Sequence, residues 1–328
     1  MKKLKPCLLT TYVYGEMYQA FIPLLVYSCK RAYPEYDIML FLHDSLSNDV
    51  KKLLKEFDLY DKVIFKENTF QFSNTNSLTA SSTRWILWDE IFWEYSYLYV
   101  VDVDMFYIRE PKPLHLQHAE RTIMTGLPFD NLRRITMYPK TLKNILRRIK
   151  YAHFHLFFKF IFSRRIVEQR LTGLHFVDIH RFYTKENLEY IKRIKEGLNK
   201  RYFFPEVMIS NDEALLFRMM TDLGYDCTKL GCQSSADKML PFDNNLREEF
   251  RPHHGIHLGI FKKQYFNEMD MHTQSAFKPI LDSETYNYYV SKFKVIFMSD
   301  EFQRFYISMP LSAKIYIDRL NAYYGIHR

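Results

Sequence analysis

The stretch Tyr97-Leu98-Tyr99-Val100-Val101-Asp102-Val103-Asp104-Met105-Phe106-Tyr107-Ile108 decides the fold of this chain. Five aromatic or aliphatic residues lead directly into two aspartates, and a second apolar run follows them. A continuous β-branched and aromatic run predicts a strand that is buried on both faces. Asp102 and Asp104 are separated by one residue, so in an extended chain their side chains point the same way.

Two carboxylates at this place would be costly, because like charges repel and lose hydration beside a hydrophobic core. A divalent cation that also carries phosphate oxygens would remove both costs, since Mg²⁺ and Mn²⁺ prefer oxygen ligands. The alternative is a strand end whose acids cap the following turn. An Asp-x-Asp sequence alone does not distinguish a metal site from a turn cap. Other motifs in the chain are needed to decide between them.

Composition limits the class of protein. The chain has 328 residues, of which 47% are hydrophobic, enough for one large α/β domain with an additional segment. Aromatic residues reach 17%, which indicates a surface that recognises a sugar ring, a base or a lipid interface. The formal net charge of +8 favours an anionic partner. Four widely spaced cysteines and the lack of a long apolar stretch predict a cytosolic protein with reduced thiols.

Hydrophobic patterning predicts strands that alternate with helices. Strands are expected at residues 7–13, 36–42, 62–66, 97–101, 122–127 and 171–179. Helices are expected at residues 16–31, 50–57, 84–94, 187–199, 212–222, 284–296 and 312–324, and the polar residues 71–83 are expected to form a loop. Such alternation predicts parallel pairing, and in these sheets ligands bind at the carboxyl ends of strands, where Asp102 and Asp104 fall.

Residues 139–170 form a basic, aromatic-rich segment in which Glu168 is the one acid. Apolar residues recur at helical spacing, which predicts a helical insertion. Its charge and its many phenylalanines are typical of a helix in a membrane interface near anionic lipid. A surface helix that docks on its own domain is an equal alternative. A nucleic-acid-binding arm is the third, and the bulky phenylalanines do not favour it.

Further motifs follow one another along the chain. They are Thr10-Thr11-Tyr12, Tyr18-Gln19-Ala20, Tyr33-Pro34, the strand at 37–41, the Arg84 segment at 82–87, the strand and Asp-x-Asp at 99–104, Thr172-Gly173-Leu174 with the strand after it, Asn211-Asp212-Glu213, and the His-Gly loop at 253–259. In this order they resemble the GT-A nucleotide-sugar glycosyltransferases, especially family 8 and its relatives. The resemblance covers residues 7–265.

The resemblance implies an α/β fold of the GT-A type, Rossmann-like, with a mixed central sheet flanked by helices. Residues 1–265 would form the catalytic domain, with 139–170 as an insertion, and residues 266–328 a C-terminal helical appendage. The implied activity is metal-dependent transfer of a sugar from a nucleotide sugar, with a UDP-sugar as the preferred donor. The acceptor would be a glycan or lipid-linked glycan, as in surface polysaccharide or lipopolysaccharide synthesis.

The resemblance also implies roles for individual residues. Asp102 and Asp104 would bind Mn²⁺ or Mg²⁺, with His257 as the preferred third ligand and His254 as the next candidate. The residues that would bind the nucleotide or donor sugar are Thr10, Thr11, Tyr12, Arg84, Asp102, Gly173 and Lys262. The alternative for Arg84 is a salt bridge to Asp89 or to a neighbouring helix.

The Asp212-Glu213 pair carries the predicted catalytic groups. Asp212 would act as a general base in an inverting enzyme or would stabilise positive charge on the sugar in a retaining one. The alternative is simple capping of a helix N-terminus. The chain departs from the family pattern here, because Glu213 stands where family 8 has Gln. Retention is expected over inversion, and the transferred sugar is expected to be a hexose.

The expected location is the cytoplasmic face of a membrane, with residues 139–170 on anionic lipid and no nucleic-acid partner. Two other functions compete with the glycosyltransferase. A nucleotidyltransferase would need a Gly-rich phosphate loop after the first strand, where this chain has only Gly15. A non-catalytic module could bind membranes or nucleic acid through the basic segment.

Overall fold

The computed structural model describes residues 3–72, 75, 77–132, 135–139, 167–171, 175–199, 212–234, 254–261 and 281–327. The strands in these residues are β1 (Lys5–Val13), β2 (Asp37–Leu42), β3 (Val63–Lys66), β4 (Tyr95–Val100), β5 (Met105–Phe106), β6 (Phe129–Asn131), β7 (Ile135–Pro139), β8 (Val167–Leu171), β9 (His175–Asp178), β10 (Cys232–Ser234) and β11 (Ile256–His257).

The helices in the same part of the chain surround these strands. They are α1 (Glu16–Gln19), α2 (Ile22–Ala32), α3 (Asn48–Glu56), α4 (Ser77–Thr83), α5 (Leu114–Thr125), α6 (Ile179–Phe182), α7 (Lys185–Asn199), α8 (Asp212–Asp222), α9 (Glu284–Phe297), α10 (Asp300–Ser308) and α11 (Leu311–Tyr323). Short 3-10 turns at Arg84–Ile86, Glu90–Glu94 and Leu258–Phe261 lie close to the strand ends discussed below.

The central sheet has six strands in the order β3-β2-β1-β4-β9-β6. Strands β1 to β4 are parallel, whereas β9 is antiparallel to both β4 and β6. Two smaller sheets, β10-β7-β8 and β11-β5, accompany it. The expected fold class is therefore confirmed, with a mixed α/β sheet, flanking helices and helices at the C-terminus. Parallel pairing in the central sheet is limited to β3, β2, β1 and β4.

Strand β4 is buried on both faces, as its sequence predicts. Leu98 and Val100 belong to one hydrophobic cluster, on the side of the sheet that contains Trp85. Tyr99 and Val101 belong to the other cluster, together with residues of β1, α2 and the C-terminal helices. Because alternate residues of β4 enter different clusters, the strand is the central wall between two cores, and its carboxyl end is held in place from both sides.

The C-terminal helices pack directly behind the Asp-x-Asp segment. Phe106 of β5 contacts the rings of Phe293 and Phe302 edge-on, with ring centroids 5.1 and 6.0 Å away. All three side chains are buried in the same cluster as α2. The helices thus share a core with the sheet, while the expected boundary at residue 265 lies outside the described residues and stays a prediction.

Two expected strands are wrong in part. Residues 122–125 belong to helix α5, and the strand follows at Phe129–Asn131. Helix α5 buries Leu114, His118 and Thr122 at a spacing of four residues and ends at Gly126, whose φ is +69°. The β-branched Thr122 and Ile123 suggested a strand, but this helical stripe and glycine stop decide the structure. In the strand expected at 171–179, Leu171 ends β8, His175–Asp178 form β9 and Ile179 begins α6, while residues 172–174 lie outside the described residues.

Other element boundaries also differ. The loop expected at 71–83 contains helix α4, and the helix expected at 84–94 consists of two 3-10 turns. The helix expected at 16–31 divides at residues 20–21 ahead of Pro23. Residue 139 and residues 167–170 of the basic segment lie in the paired strands β7 and β8. The expected helical insertion at 140–166 lies outside the described residues. No helix of the described ranges is long and apolar enough to cross a membrane.

The packing of Phe293 predicts a large effect of its truncation. Phe293→Ala removes a fully buried ring that contacts Phe106, and should lower the free energy of unfolding by about 3–5 kcal/mol. Val295→Ala on the same helix is the control, because Val295 is 70% exposed, and should change stability by no more than about 0.5 kcal/mol. Equal effects of the two substitutions in urea denaturation would contradict the shared core.

Candidate active site

Strand β5 and strand β11 bring the Asp-x-Asp segment and the late histidine together. The two short strands are antiparallel, with His257 opposite Met105, and the backbone N–H of Leu258 donates to the carbonyl of Asp104 over 2.9 Å. The result is a contact of 3.2 Å between His257 Nε2 and Asp104 Oδ1. Sequence reasoning preferred His257 over His254, and the structure places His257 beside the second aspartate.

Gly259 leaves the space in which Asp104 and His257 meet. A Cβ atom at this position would lie 2.4 Å from Asp104 Oδ2 and 2.9 Å from His257 Nε2. Both distances are far below normal contact, so a side chain here would displace the pair. The glycine therefore leaves room for the close approach of two ligand-type atoms, whose tips would have to move to admit a side chain.

The electrostatics of this corner favour a carboxylate anion at Asp104. Burial alone would raise the pKa of Asp104. The charge of His257, its hydrogen bond and the more distant Arg84 outweigh burial and lower the pKa of Asp104 below its usual value. An ionised carboxylate oxygen therefore lies beside an imidazole nitrogen in a partly enclosed place.

Arg84 connects the first aspartate to the predicted catalytic aspartate. Its Nη1 donates to Asp102 Oδ1, and its Nη2 donates to Asp212 Oδ2. Burial opposes the charge on Arg84, but Asp102 and Asp212 more than compensate and raise the pKa of the guanidinium. Asp212 is 128 residues away in sequence, at the first turn of helix α8. One guanidinium thus joins the end of β4 to the start of α8.

The position of Arg84 has a local cause. The residue begins a 3-10 turn directly after α4, and its guanidinium lies over the Trp85 ring at 4.4 Å. Of the two alternatives for Arg84, the salt bridge to a neighbouring helix is observed, at Asp212. Asp89 is engaged elsewhere, because it forms an ion pair of 2.8 Å with Lys66 and caps the turn at Ile91. Glu213 adds a further favourable charge interaction with Arg84. The structure therefore brings together Arg84, Asp102, Asp212 and Glu213.

The residues at this corner fit a divalent cation in part. Asp104 and His257 offer an oxygen and a nitrogen side by side, which suits Mn²⁺, and Gly259 keeps the space at both atoms. Within the described ranges, no group of three or more His, Cys, Asp or Glu side chains is assembled as a metal cluster. Asp102 Oδ1 is instead in contact with Arg84 Nη1.

The structure corrects the assignment of His254. The ring is buried, its Nδ1 lies 2.8 Å from Glu110 Oε1, and its Nε2 lies 3.0 Å from His118 Nε2. Both nitrogens are therefore occupied inside the protein. Sequence reasoning could not see this, because Glu110 and His118 are distant in sequence. His254 belongs to this buried network and not to the group around Asp104.

The expected nucleotide-binding residues of β1 differ in their access to the end of the strand. Thr10 and Thr11 are buried in the sheet, and the Thr10 hydroxyl donates to the carbonyl of Met39, so neither is open to a ligand. Tyr12 reaches the strand end, where its hydroxyl lies 2.8 Å from His43 Nδ1. Gly173 and Lys262 lie outside the described residues, and their roles stay predictions.

Sequence reasoning missed two aromatic residues at this edge. Tyr14 follows β1 and His43 follows β2, and the backbone N–H of His43 donates to the carbonyl of Val13 over 3.0 Å. The two rings meet edge to face with centroids 4.8 Å apart. Both are partly exposed, so they offer a flat contact for a base at the carboxyl ends of neighbouring strands. Their position directly after two strands was the available signal.

His175 and Trp85 form a second missed feature beneath Arg84. His175 pairs across the sheet with Val100, and its Nδ1 lies 2.6 Å from Asn131 Oδ1. Burial lowers the pKa of His175 to about 3, so the ring is neutral at physiological pH. Trp85 packs edge-on against it at 5.9 Å. This neutral aromatic layer supports the guanidinium without adding charge.

Comparison with known proteins gives a likeness in fold. No protein-family model matches the sequence, and no curated protein is similar to it in sequence. Among solved structures, the chain is similar to the mannosyltransferase Ktr4p from S. cerevisiae, with 11% identity, a TM-score of 0.41, and coverage of 72% of this chain and 70% of that one.

Two more of these structures are also glycosyltransferases. Core-mannan synthase A from Aspergillus fumigatus, in an Mn/GDP form, has 11% identity, a TM-score of 0.39, and coverage of 70% of this chain and 73% of that one. The galactosyltransferase LgtC, in complex with donor and acceptor sugar analogues, has 10% identity, a TM-score of 0.35 and the same coverage. Since every TM-score is below 0.5, the functional case rests on the site geometry.

The close packing at Gly259 predicts a selective loss of metal affinity. Gly259→Ala should weaken Mn²⁺ binding at least tenfold, about 1.4 kcal/mol, because the new methyl group separates Asp104 from His257. Gly224→Ala is the control. Its φ of +82° costs about 1–2 kcal/mol of stability for a residue with a side chain, but no atom lies within 4 Å of its Cβ position.

Gly259→Ala should therefore lose Mn²⁺ affinity, whereas Gly224→Ala should lose stability and keep its Mn²⁺ affinity. Mn²⁺ affinity can be followed by the electron paramagnetic resonance signal of the free ion, and stability by urea denaturation. Wild-type Mn²⁺ affinity in Gly259→Ala would contradict the assignment of Asp104 and His257.

Proposed function

We propose that the protein is a metal-dependent glycosyltransferase that transfers a hexose from a nucleotide sugar, preferably a UDP-sugar, to a glycan or lipid-linked glycan. The observation that carries the proposal is the bridge from Asp102 through Arg84 to Asp212, beside the Asp104–His257 contact. This arrangement puts a cation, a candidate metal-binding pair and a candidate reacting carboxylate at one corner of the sheet. A nucleotidyltransferase would need phosphate-binding glycines that the end of β1 does not have.

Asp104 and His257 would hold the divalent ion, with Asp102 as the adjoining carboxylate. The ion would supply positive charge against the diphosphate that leaves when the sugar–phosphate bond breaks. Arg84 would stabilise the negative charge of the same diphosphate from the side of α8. Its planar set of N–H donors suits phosphate oxygens as well as carboxylates. Its contacts with Asp102 and Asp212 support this role, because they hold the guanidinium beside the proposed metal-binding residues.

Asp212 is the group proposed to face the reacting sugar. Its carboxylate is held at Oδ2 by Arg84 at the first turn of α8, where the helix dipole also favours negative charge. In a retaining reaction, which we prefer, Asp212 and the adjacent Glu213 would stabilise positive charge on the anomeric carbon. In an inverting reaction Asp212 would accept the proton of the acceptor hydroxyl.

The nucleobase and the acceptor would bind through other parts of the chain. Tyr14 and His43 would contact the nucleobase at the ends of β1 and β2. The acceptor is proposed to be presented at the cytoplasmic face of a membrane. The net charge of +8 and the basic residues 140–165 support attraction to anionic lipid.

The proposal predicts a specific defect in Arg84→Lys. Lysine keeps the charge but lacks the planar fork that reaches two carboxylates, so kcat/KM for UDP-sugar hydrolysis should fall about 100-fold, or about 2.7 kcal/mol of transition-state stabilisation. Arg218→Lys is the matched control on helix α8. Arg218 also holds a carboxylate, at Asp222, but on the exposed side of the helix, and its replacement should leave the rate unchanged.

The assay is Mn²⁺-dependent release of sugar from UDP-sugars and, in parallel, GDP-sugars. Activity that is independent of Mn²⁺, or that survives Arg84→Lys, would contradict the proposed function.

A further inference from the structure

A chain of buried ionisable groups lies behind the candidate site. Glu110 Oε1 lies 2.8 Å from His254 Nδ1, and His254 Nε2 lies 3.0 Å from His118 Nε2. His118 Nδ1 lies 2.6 Å from Asp130 Oδ2, which also accepts from Arg121 Nε over 2.8 Å. Four of these side chains are at most 5% exposed, and Arg121 is 12% exposed. None of them belongs to the Arg84 or Asp104 groups.

The contact between the two histidines fixes how many protons they hold. Each Nδ1 faces a carboxylate oxygen, so each Nδ1 carries a hydrogen that it donates. The two Nε2 atoms then face each other at hydrogen-bond distance, which requires one proton between two lone pairs. With both carboxylates ionised, this arrangement gives the pair one positive charge, and together with Arg121 it balances Glu110 and Asp130.

This network is attached to the segment that carries His257. His254 lies three residues before His257 and five before Gly259 in the described segment 254–261. Gly255 has a φ of +106°, and a Cβ there would lie 2.3 Å from the carbonyl oxygen of Phe106, so the segment is pressed onto β5. The histidine pair joins this segment to helix α5 and, through Asp130, to β6.

The other end of the network is attached to the segment that follows the Asp-x-Asp. Glu110 accepts from the hydroxyl of Tyr289 on helix α9 over 2.6 Å and from Gln117 on α5 over 2.8 Å. Tyr99 of β4 packs against both histidine rings, with centroids 5.3 and 5.9 Å away. The network thus ties together β4, α5, β6, α9 and the His257 segment.

We propose that His118 and Glu110 are positioning residues that hold His257 against Asp104. They act through His254, because they contact both of its ring nitrogens and thereby hold the backbone three residues before His257. His254 contributes orientation and not metal ligation. The inference rests on the proposed function only where metal binding is the readout, since the contact between His257 and Asp104 exists without a metal.

The test compares two histidines on the same helix. His118→Gln removes the imidazole that faces His254. His115→Gln removes an imidazole three residues earlier whose Nδ1 lies 2.9 Å from the Tyr36 hydroxyl, with no contact to the network. In metal-free, ¹⁵N-histidine-labelled protein, the His257 ring signals should shift in His118→Gln and stay unchanged in His115→Gln. Mn²⁺ affinity should fall at least tenfold in His118→Gln alone.

The outcomes separate the two proposals. Unchanged His257 signals in His118→Gln, or equal changes in both variants, would overturn the positioning role. If His118→Gln selectively shifts the His257 signals but the wild-type protein binds no Mn²⁺, the positioning role is supported and the metal-dependent function is contradicted. Should His118→Gln not fold, the wild-type protein decides, because the shared proton predicts scalar coupling between the Nε2 atoms of His118 and His254. Absence of that coupling would overturn the inference.

Discussion

The guanidinium of Arg84, held between Asp102 and Asp212, is the interaction on which the rest of the site depends. Two carboxylates at the ends of distant elements would repel each other in a partly buried corner, and the cation between them turns repulsion into a link. The link needs a fixed end of β4, which the two cores on either side of the strand provide. It also needs the start of α8, with its favourable dipole, at the same corner.

A second principle is that the buried charges named above, all in the described part of the chain, lie next to groups of opposite charge. Arg84 forms ion pairs with Asp102 and Asp212, and His257 contacts Asp104. Deeper in the protein, His118, His254 and Arg121 contact Glu110 and Asp130. Loss of one partner from such a cluster leaves an uncompensated charge, which costs more than the pair contributes. Two glycines, Gly255 and Gly259, make the close packing between these clusters possible.

Much of this arrangement could be predicted from sequence, for identifiable reasons. The β4 strand and its aspartates were predictable because burial on both faces imposes an unbroken apolar run. His257 was predictable because the order of motifs places a late histidine near the Asp-x-Asp. Arg84 and Asp212 were each predicted as site residues, but the salt bridge between them was not. They are 128 residues apart, and no local sequence pattern predicts such a long-range contact.

The errors also have physical causes. Residues 122–125 carry β-forming side chains, yet the stripe from Leu114 to Thr122 and the stop at Gly126 make a helix. Thr10 and Thr11 follow the family's order of motifs, but they lie inside β1, where neighbouring strands and packing bury them. His254 is a ligand-type residue beside a glycine, and only the fold reveals that Glu110 and His118 already occupy its ring.

The most direct measurement of the central claim is anomalous diffraction at the manganese edge from crystals soaked with Mn²⁺ and UDP. The account predicts one strong peak in contact with Asp104 and His257, next to the diphosphate and at the corner where Arg84 points. A diphosphate bound with no manganese at Asp104 and His257, or a manganese peak elsewhere on the protein, would contradict it.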